Sequence, residues 1–161
     1  MSVLRLVKLS AVAAVYVVFT VLTPLSYGEI QFRFSEILIL LCFFRKDYAY
    51  SIIIGCFISN LFSPLVLFDM FFGTFQTVVA TFLITRSKNM FFSSLYPVIT
   101  MPIIAYELTL AYKLPFLLTC LTTMAGEFVV VVLIGYPLFL VLRKQPRVLE
   151  LIDANRNVEV I

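Results

Sequence analysis

Residues 28–36 read GEIQFRFSE, and five of them, Glu29, Gln31, Arg33, Ser35 and Glu36, are polar or charged in a chain that is 62% apolar. Together an amide, a guanidinium and two carboxylates supply the donors and acceptors that hold a small polar ligand with a planar hydrogen-bonding edge. An ion pair at the entrance to a helix would use Arg33 and one acid, but it needs neither Gln31 nor the bracketing Gly28. Three further acids, Asp69, Glu107 and Glu127, stand within or at the ends of long apolar runs. An ionised side chain at the centre of a membrane helix costs roughly 2.5–3.5 kcal/mol on insertion scales, so such residues face a polar cavity or a partner. Ligand binding is therefore the expected role of Glu36, Glu107 and Glu127.

Reaction chemistry is not expected. The chain has no histidine, which removes the commonest metal ligand and the usual general base near neutral pH. Cys42, Cys56 and Cys120 stand singly in apolar segments and read as small packing residues, with no disulfide or zinc site implied. The five glycines form no phosphate loop. No metal and no cofactor are expected.

Spacing gathers the polar residues on helix faces. Asp69, Gly73, Gln76 and Ala80 recur at i, i+4, i+7 and i+11, which is one face of a helix. Ser51, Gly55 and Ser59 repeat every four residues beside Asn60, and this stripe reads first as a surface for close helix packing. Thr119, Thr123, Gly126 and Glu127 share a face, and Thr100 and Glu107 stand seven apart.

The elements that must position these groups are membrane helices. Mean hydropathy is +1.07 and only 13% of the 161 residues are charged, against about 25% in soluble globular domains. Cut at charges and turn signals, the apolar runs give six segments, at residues 3–23, 34–44, 48–62, 67–85, 91–112 and 115–142. About 20 apolar residues cross a bilayer, and an 11-residue helix covers only about 17 Å of a core about 30 Å thick. The second segment must therefore start earlier, tilt or sit inside other helices; a re-entrant segment, with five crossings, is the alternative. With six crossings and the N-terminus inside, ten of the twelve basic residues lie on the cytoplasmic side, leaving only Arg33 and Lys113 outside, as the positive-inside rule requires. Arg5 and Lys8 before an apolar run resemble a signal peptide, but TPLSYG offers no small-x-small cleavage site, so a retained first helix is expected. The expected fold is an all-α membrane protein. It is a bundle of six transmembrane helices over residues 1–142, with both termini cytoplasmic and a polar tail at 143–161.

YGEIQFRFSE strongly resembles the G-x-I-Q-x-R-x-S-E signature of the QueT family, the substrate-binding S components of energy-coupling factor (ECF) transporters for queuosine precursors. GCFISNLFSP, DMFFGT, YEL and GE follow in order, so the likeness extends over nearly the whole membrane domain. The family often has an asparagine before the fifth-segment element, where this chain reads ITMPIIAYEL. The resemblance implies a cell-membrane binding subunit that is not itself an enzyme. It implies an outward-opening site for a deazaguanine, such as the pre-queuosine base or queuine. Arg33, Asp69 and Gln76 join it, with Glu36 and Glu107 on the base edge or an ammonium group, Gln31 and Asn60 as donors, and Glu127 deeper. The partners implied are a transmembrane coupling subunit and two ATPases, with no nucleic acid. The coupling subunit would pack on an A-x-x-x-A-like face of the first helix, here Ser10 and Ala14 with Ala11 beside them.

The residues alone leave rivals. These are an S component for another vitamin, a proton-coupled secondary transporter with Glu127 in mid-membrane, or a structural partner without ligand. The halves at 1–80 and 81–161 show no self-similarity of the kind such secondary transporters often carry. An intramembrane hydrolase would need a serine and lysine pair, and the lysines cluster at the cytoplasmic edge. With 17 phenylalanines beside Tyr106 and Tyr112, the residue that stacks on a base is left open.

Overall fold

The computed structural model describes residues 2–27 and 32–156, and among them every regular element is helical. Gln31, with Gly28, Glu29 and Ile30, lies outside the described residues. Four helices are long and apolar enough to cross a membrane: α1 (Val3–Leu22), α4 (Val66–Arg86), α5 (Met90–Tyr112) and α6 (Phe116–Leu142). Two shorter apolar helices, α2 (Phe34–Phe44) and α3 (Tyr48–Asn60), lie between α1 and α4, and a short helix α7 (Pro146–Leu151) follows α6.

Local chemistry sets the ends. The Ser2 hydroxyl caps α1 by accepting from the Arg5 amide at 3.3 Å. At its other end Thr23 is extended (φ −94°, ψ 108°), as the residue before a proline must be. Asn89 caps α5 by accepting from the Phe91 amide at 2.9 Å, and Lys113 closes that helix in the left-handed region (φ 56°).

α2 lies inside the bundle and is stretched by its geometry. Residues Phe34–Leu40 form a 3-10 helix and Leu41–Phe44 an α-helical turn. A 3-10 helix rises about 2.0 Å per residue, so α2 reaches about 20 Å rather than about 17 Å. Ser35, Glu36 and every residue from Ile39 to Phe44 are buried, because the other helices surround it. Around the bundle, contacts run α1, α3, α4, α5, α6, α2 and back to α1, and α2 also reaches α4.

Three helices are irregular where polar residues lie. α4 opens into π-helical turns at Asp69–Gly73, and α6 does so at Phe128–Gly135, directly after Glu127. α5 contains Pro97 and breaks at Met101 before Pro102. The π-helical turns of α4 and α6 are of a kind that recurs at functional sites.

The two ends of the bundle differ. At the tail end the core is apolar: Phe44 stacks on Phe139 at 6.0 Å and meets Phe43 edge-on at 5.3 Å. The polar tail folds back onto this end. Ile152 and Leu149 pack against the core, and the amides of Asn155 and Arg156 donate to the Phe44 carbonyl at 3.2 and 3.1 Å. Lys8 donates to Asp153 at 2.9 Å, Arg5 does so at 3.4 Å, Tyr48 donates to the Ile152 carbonyl at 3.0 Å, and Arg156 caps the Thr85 carbonyl at 2.6 Å. At the opposite end, near the α1–α2 and α3–α4 connections, the interior is polar.

Candidate functional site

Arg33, the residue before α2, anchors that polar interior. Its Nε donates to the Ser26 carbonyl at 3.1 Å and its Nη2 to Asp69 at 3.2 Å. The guanidinium lies 5.8 Å from the centre of the Tyr27 ring, whose hydroxyl donates to the Ser59 carbonyl at 2.7 Å. Ser63 in the α3–α4 connection donates its hydroxyl to the second Asp69 oxygen. Burial raises the Tyr27 hydroxyl above its usual value.

The π-helical turns of α4 explain how Asn60 enters this network. The Asp69 carbonyl accepts from the Thr74 amide five residues on and also from Asn60 Nδ2 at 2.7 Å. A Cβ on Gly73 would stand 2.9 Å from that Asn60 nitrogen, so the glycine leaves room for the Asn60 amide to reach the Asp69 carbonyl. Asn60 was expected to donate to a ligand. Its amide nitrogen instead bonds the Asp69 backbone, and the atom left without a partner is its oxygen, Oδ1.

Gln76, one helical face along from Asp69, joins α4 to α5. Ahead of Pro102 the Met101 amide bonds the Val98 carbonyl at 3.2 Å, in 3-10 fashion. The Pro97 carbonyl takes the Thr100 hydroxyl at 2.8 Å instead, and Gln76 Nε2 donates to Thr100 Oγ1 at 2.9 Å. Gln76 Oε1 accepts from Thr77 at 3.3 Å.

The three glutamates are placed differently. Tyr16 of α1 donates its hydroxyl to Glu36 Oε1, and Glu36 Oε2 has no hydrogen-bond partner. Both oxygens of Glu107 and Oε1 of Glu127 also lack one. All three side chains are fully buried or nearly so. Arg33 lies within electrostatic range of Asp69, Glu36, Glu107 and Glu127; Glu36 and Glu127 interact with each other, as do Asp69 and Glu107. Four carboxyl groups therefore share one guanidinium.

Five buried acceptor oxygens, Glu36 Oε2, Asn60 Oδ1, Glu107 Oε1 and Oε2, and Glu127 Oε1, stand without donors. A buried unmade hydrogen bond costs about 1–3 kcal/mol, more for a charged group. Such an interior suits a compact ligand rich in N–H donors and carrying positive charge. Among the described residues no group of three or more histidine, cysteine or acidic side chains is placed to hold a metal ion.

Most residues singled out by spacing meet here: Arg33, Asn60, Asp69 and Gly73 in one network, with Glu36, Glu107 and Glu127 in electrostatic contact with it. Ser51 is buried with an unpartnered hydroxyl, and Gly55 packs against α1. Ser10, Ala11 and Ala14 are exposed on α1. Spacing alone missed Tyr16, Tyr27 and Ser63. The signal for Tyr16 was available: it is the one aromatic hydroxyl in the apolar run AVAAVYVVF.

Comparison with known proteins gives one family. A family model described as QueT transporter matches residues 6–144, which include α1 from its fourth residue, the other five apolar helices and every expected site residue. The chain is 38% identical over 141 residues to the queuosine precursor transporter QueT of Lactococcus lactis subsp. cremoris, covering 76% of this chain and 83% of that protein. No solved structure matches.

Proposed function

The chain belongs to the QueT transporter family, and from that premise we propose that it is the substrate-binding S component of an ECF-type importer for a queuosine precursor. It is a multi-pass membrane protein. In this reading residues 1–142 form the substrate-binding bundle, all six apolar helices cross, and both termini and the tail at 143–161 are cytoplasmic. The polar end of the bundle then opens outward. The bias of ten basic residues in twelve toward the tail end supports that orientation.

The observation that carries the substrate is the set of buried oxygens without donors, contributed by α2, α3, α5 and α6. A 7-deazaguanine presents a ring N–H and an exocyclic amine side by side, which a carboxylate accepts in bidentate fashion. An amine on the 7-substituent, as in the aminomethyl base and in queuine, adds an ammonium and matches the excess of carboxylates over guanidinium. Glu36, Asn60, Glu107 and Glu127 supply the acceptors; Arg33 and Gln31 are the candidates to donate to the base carbonyl. Asp69 and Gln76 hold the frame, Asp69 through Arg33 and Gln76 through Thr100.

The chain has no phosphate loop of its own, so ATP hydrolysis falls to two partner ATPases acting through a membrane coupling subunit. The face of α1 that carries Ser10, Ala11 and Ala14 is exposed and small enough for a second helix to approach closely.

Calorimetric titration of the protein in detergent with the aminomethyl base, the nitrile base, queuine and guanine tests this. Saturable binding of a deazaguanine, with guanine much weaker, is expected. No heat with any of the four from demonstrably folded protein would overturn the substrate class.

A further inference from the structure

We infer that Tyr16 is a positioning residue that makes Glu36 a single-oxygen acceptor for the cationic group of the substrate, leaving the paired N–H edge of the base to Glu107. This deepens the proposed function and rests on it. The two carboxylates look alike in sequence, but their surroundings differ. The Tyr16 hydroxyl donates to Glu36 Oε1, so that only Oε2 is without a donor, whereas neither Glu107 oxygen has one, its neighbour within hydrogen-bonding reach being the Asp69 carboxyl that Arg33 and Ser63 already hold. With one lone pair of Oε1 taken by the Tyr16 hydroxyl, the least occupied acceptor of Glu36 is Oε2, which suits one strong donor such as an ammonium, whereas two oxygens that serve no donor present the fuller edge to two parallel N–H groups.

Tyr16 is built in to hold this arrangement. It is fully buried, and its ring lies on Gly55 of α3, where an added Cβ would meet Tyr16 Cβ at 3.0 Å and the Ala13 carbonyl at 3.1 Å. One turn along α1, the Thr20 hydroxyl is hydrogen bonded to that of Ser35, 2.6 Å away, next to Glu36 in the chain. Two ties thus hold the first turn of α2 to α1. Part of the small-residue stripe of α3, which sequence reads as general packing, here has a particular occupant.

The test compares Tyr16→Phe with the unaltered protein on two ligands that share the guanine edge and differ in charge, the aminomethyl base and the nitrile base. Phenylalanine keeps the ring in its seat and removes only the hydroxyl. If Tyr16 acts through Glu36, affinity for the aminomethyl base falls about tenfold or more while affinity for the nitrile base changes less than threefold, so the ratio of the two collapses. Equal losses for both ligands would mean that Tyr16 only packs, and would overturn the inference. Glu36→Gln provides a second arm, since its remaining oxygen can still accept from Tyr16. It should show the same selective loss, and Tyr16→Phe added to it should cost little more. Additive losses would again overturn the inference. If the unaltered protein binds neither base, the substrate reading itself fails; if it binds both and only the selectivity result is absent, this inference alone fails.

Discussion

Arg33 and Asp69 form an ion pair of 3.2 Å that joins the start of α2 to α4, with neither side chain more than 6% exposed. Breaking such a pair from one side leaves a buried charge unmatched, at a cost of about 3–5 kcal/mol. Arg33→Gln is therefore expected to lower the unfolding midpoint in detergent sharply. Combining it with Asp69→Asn should restore much of the loss, because no charge is then stranded. Equal midpoints for the Arg33 single variant and the parent would show that the pair does not hold α2 in place.

Gly73 and Gly55 should respond differently to alanine. At Gly73 the new methyl would press on Asn60 Nδ2 at 2.9 Å, a side-chain end that can swing away from the Asp69 carbonyl. Gly73→Ala should fold and bind a deazaguanine about tenfold more weakly, which is about 1.4 kcal/mol. At Gly55 the neighbours are a backbone carbonyl and a Cβ, which cannot swing. Gly55→Ala should lose about 1–3 kcal/mol of stability by overpacking, read as a lower unfolding midpoint.

Glu107 places both carboxylate oxygens in the interior without a donor. Glu107→Gln should therefore raise the unfolding midpoint of the ligand-free protein while lowering deazaguanine affinity by about tenfold or more. Thermal unfolding and calorimetry on the same preparation read the two effects. A fall in stability together with unchanged affinity would assign Glu107 to the frame of the bundle.

The tail should loosen in acid. Asp153 accepts a hydrogen bond from Lys8 and lies near Arg5 and Arg45, and these hold its carboxyl below the usual carboxylate range. It stays ionised in the fold at pH values where the unfolded chain has begun to take up a proton. Its contribution is complete above the unfolded value of about 3.9 and is lost as pH falls through the lowered value. Asp153 has φ 49°, which asparagine tolerates, so Asp153→Asn removes the charge and keeps the backbone. Faster amide exchange at Asn155 and Arg156, whose amides bond the Phe44 carbonyl, is expected at neutral pH; unchanged exchange would show that the charge does not hold the tail.

Enlarging the exposed face of α1 should separate binding from transport. If the proposed coupling subunit packs there, Ala14→Leu abolishes co-purification with it and cellular uptake, while the isolated protein binds deazaguanine as before. Retained co-purification would place the partner on another face.

Much of the fold was legible because the bilayer imposes a simple rule: backbone polar groups must be satisfied within each crossing segment. Each of the six apolar segments contains a helix, with ends within a few residues of the expected ones. Periodicity placed Asp69, Gly73 and Gln76 on one face, and the family motif marked Arg33 and Glu36. The second segment was recognisable as too short to cross as a straight α-helix, but its 3-10 geometry was not, since that depends on the helices packed around it.

Sequence by itself determined that this is a helical membrane protein of the QueT family, and which acids required an explanation, because charge in an apolar chain is conspicuous without coordinates. Tertiary structure alone decided which of those acids are engaged. Asp69 is paired to Arg33, Glu36 takes a hydrogen bond from a tyrosine 20 residues earlier, and Glu107 stands beside Asp69 with no donor on either oxygen. Asn60 turns from expected donor to available acceptor. A hydrogen bond is short-ranged and directional, so its partner is set by which helices touch and in what register, and spacing along one helix carries no record of that.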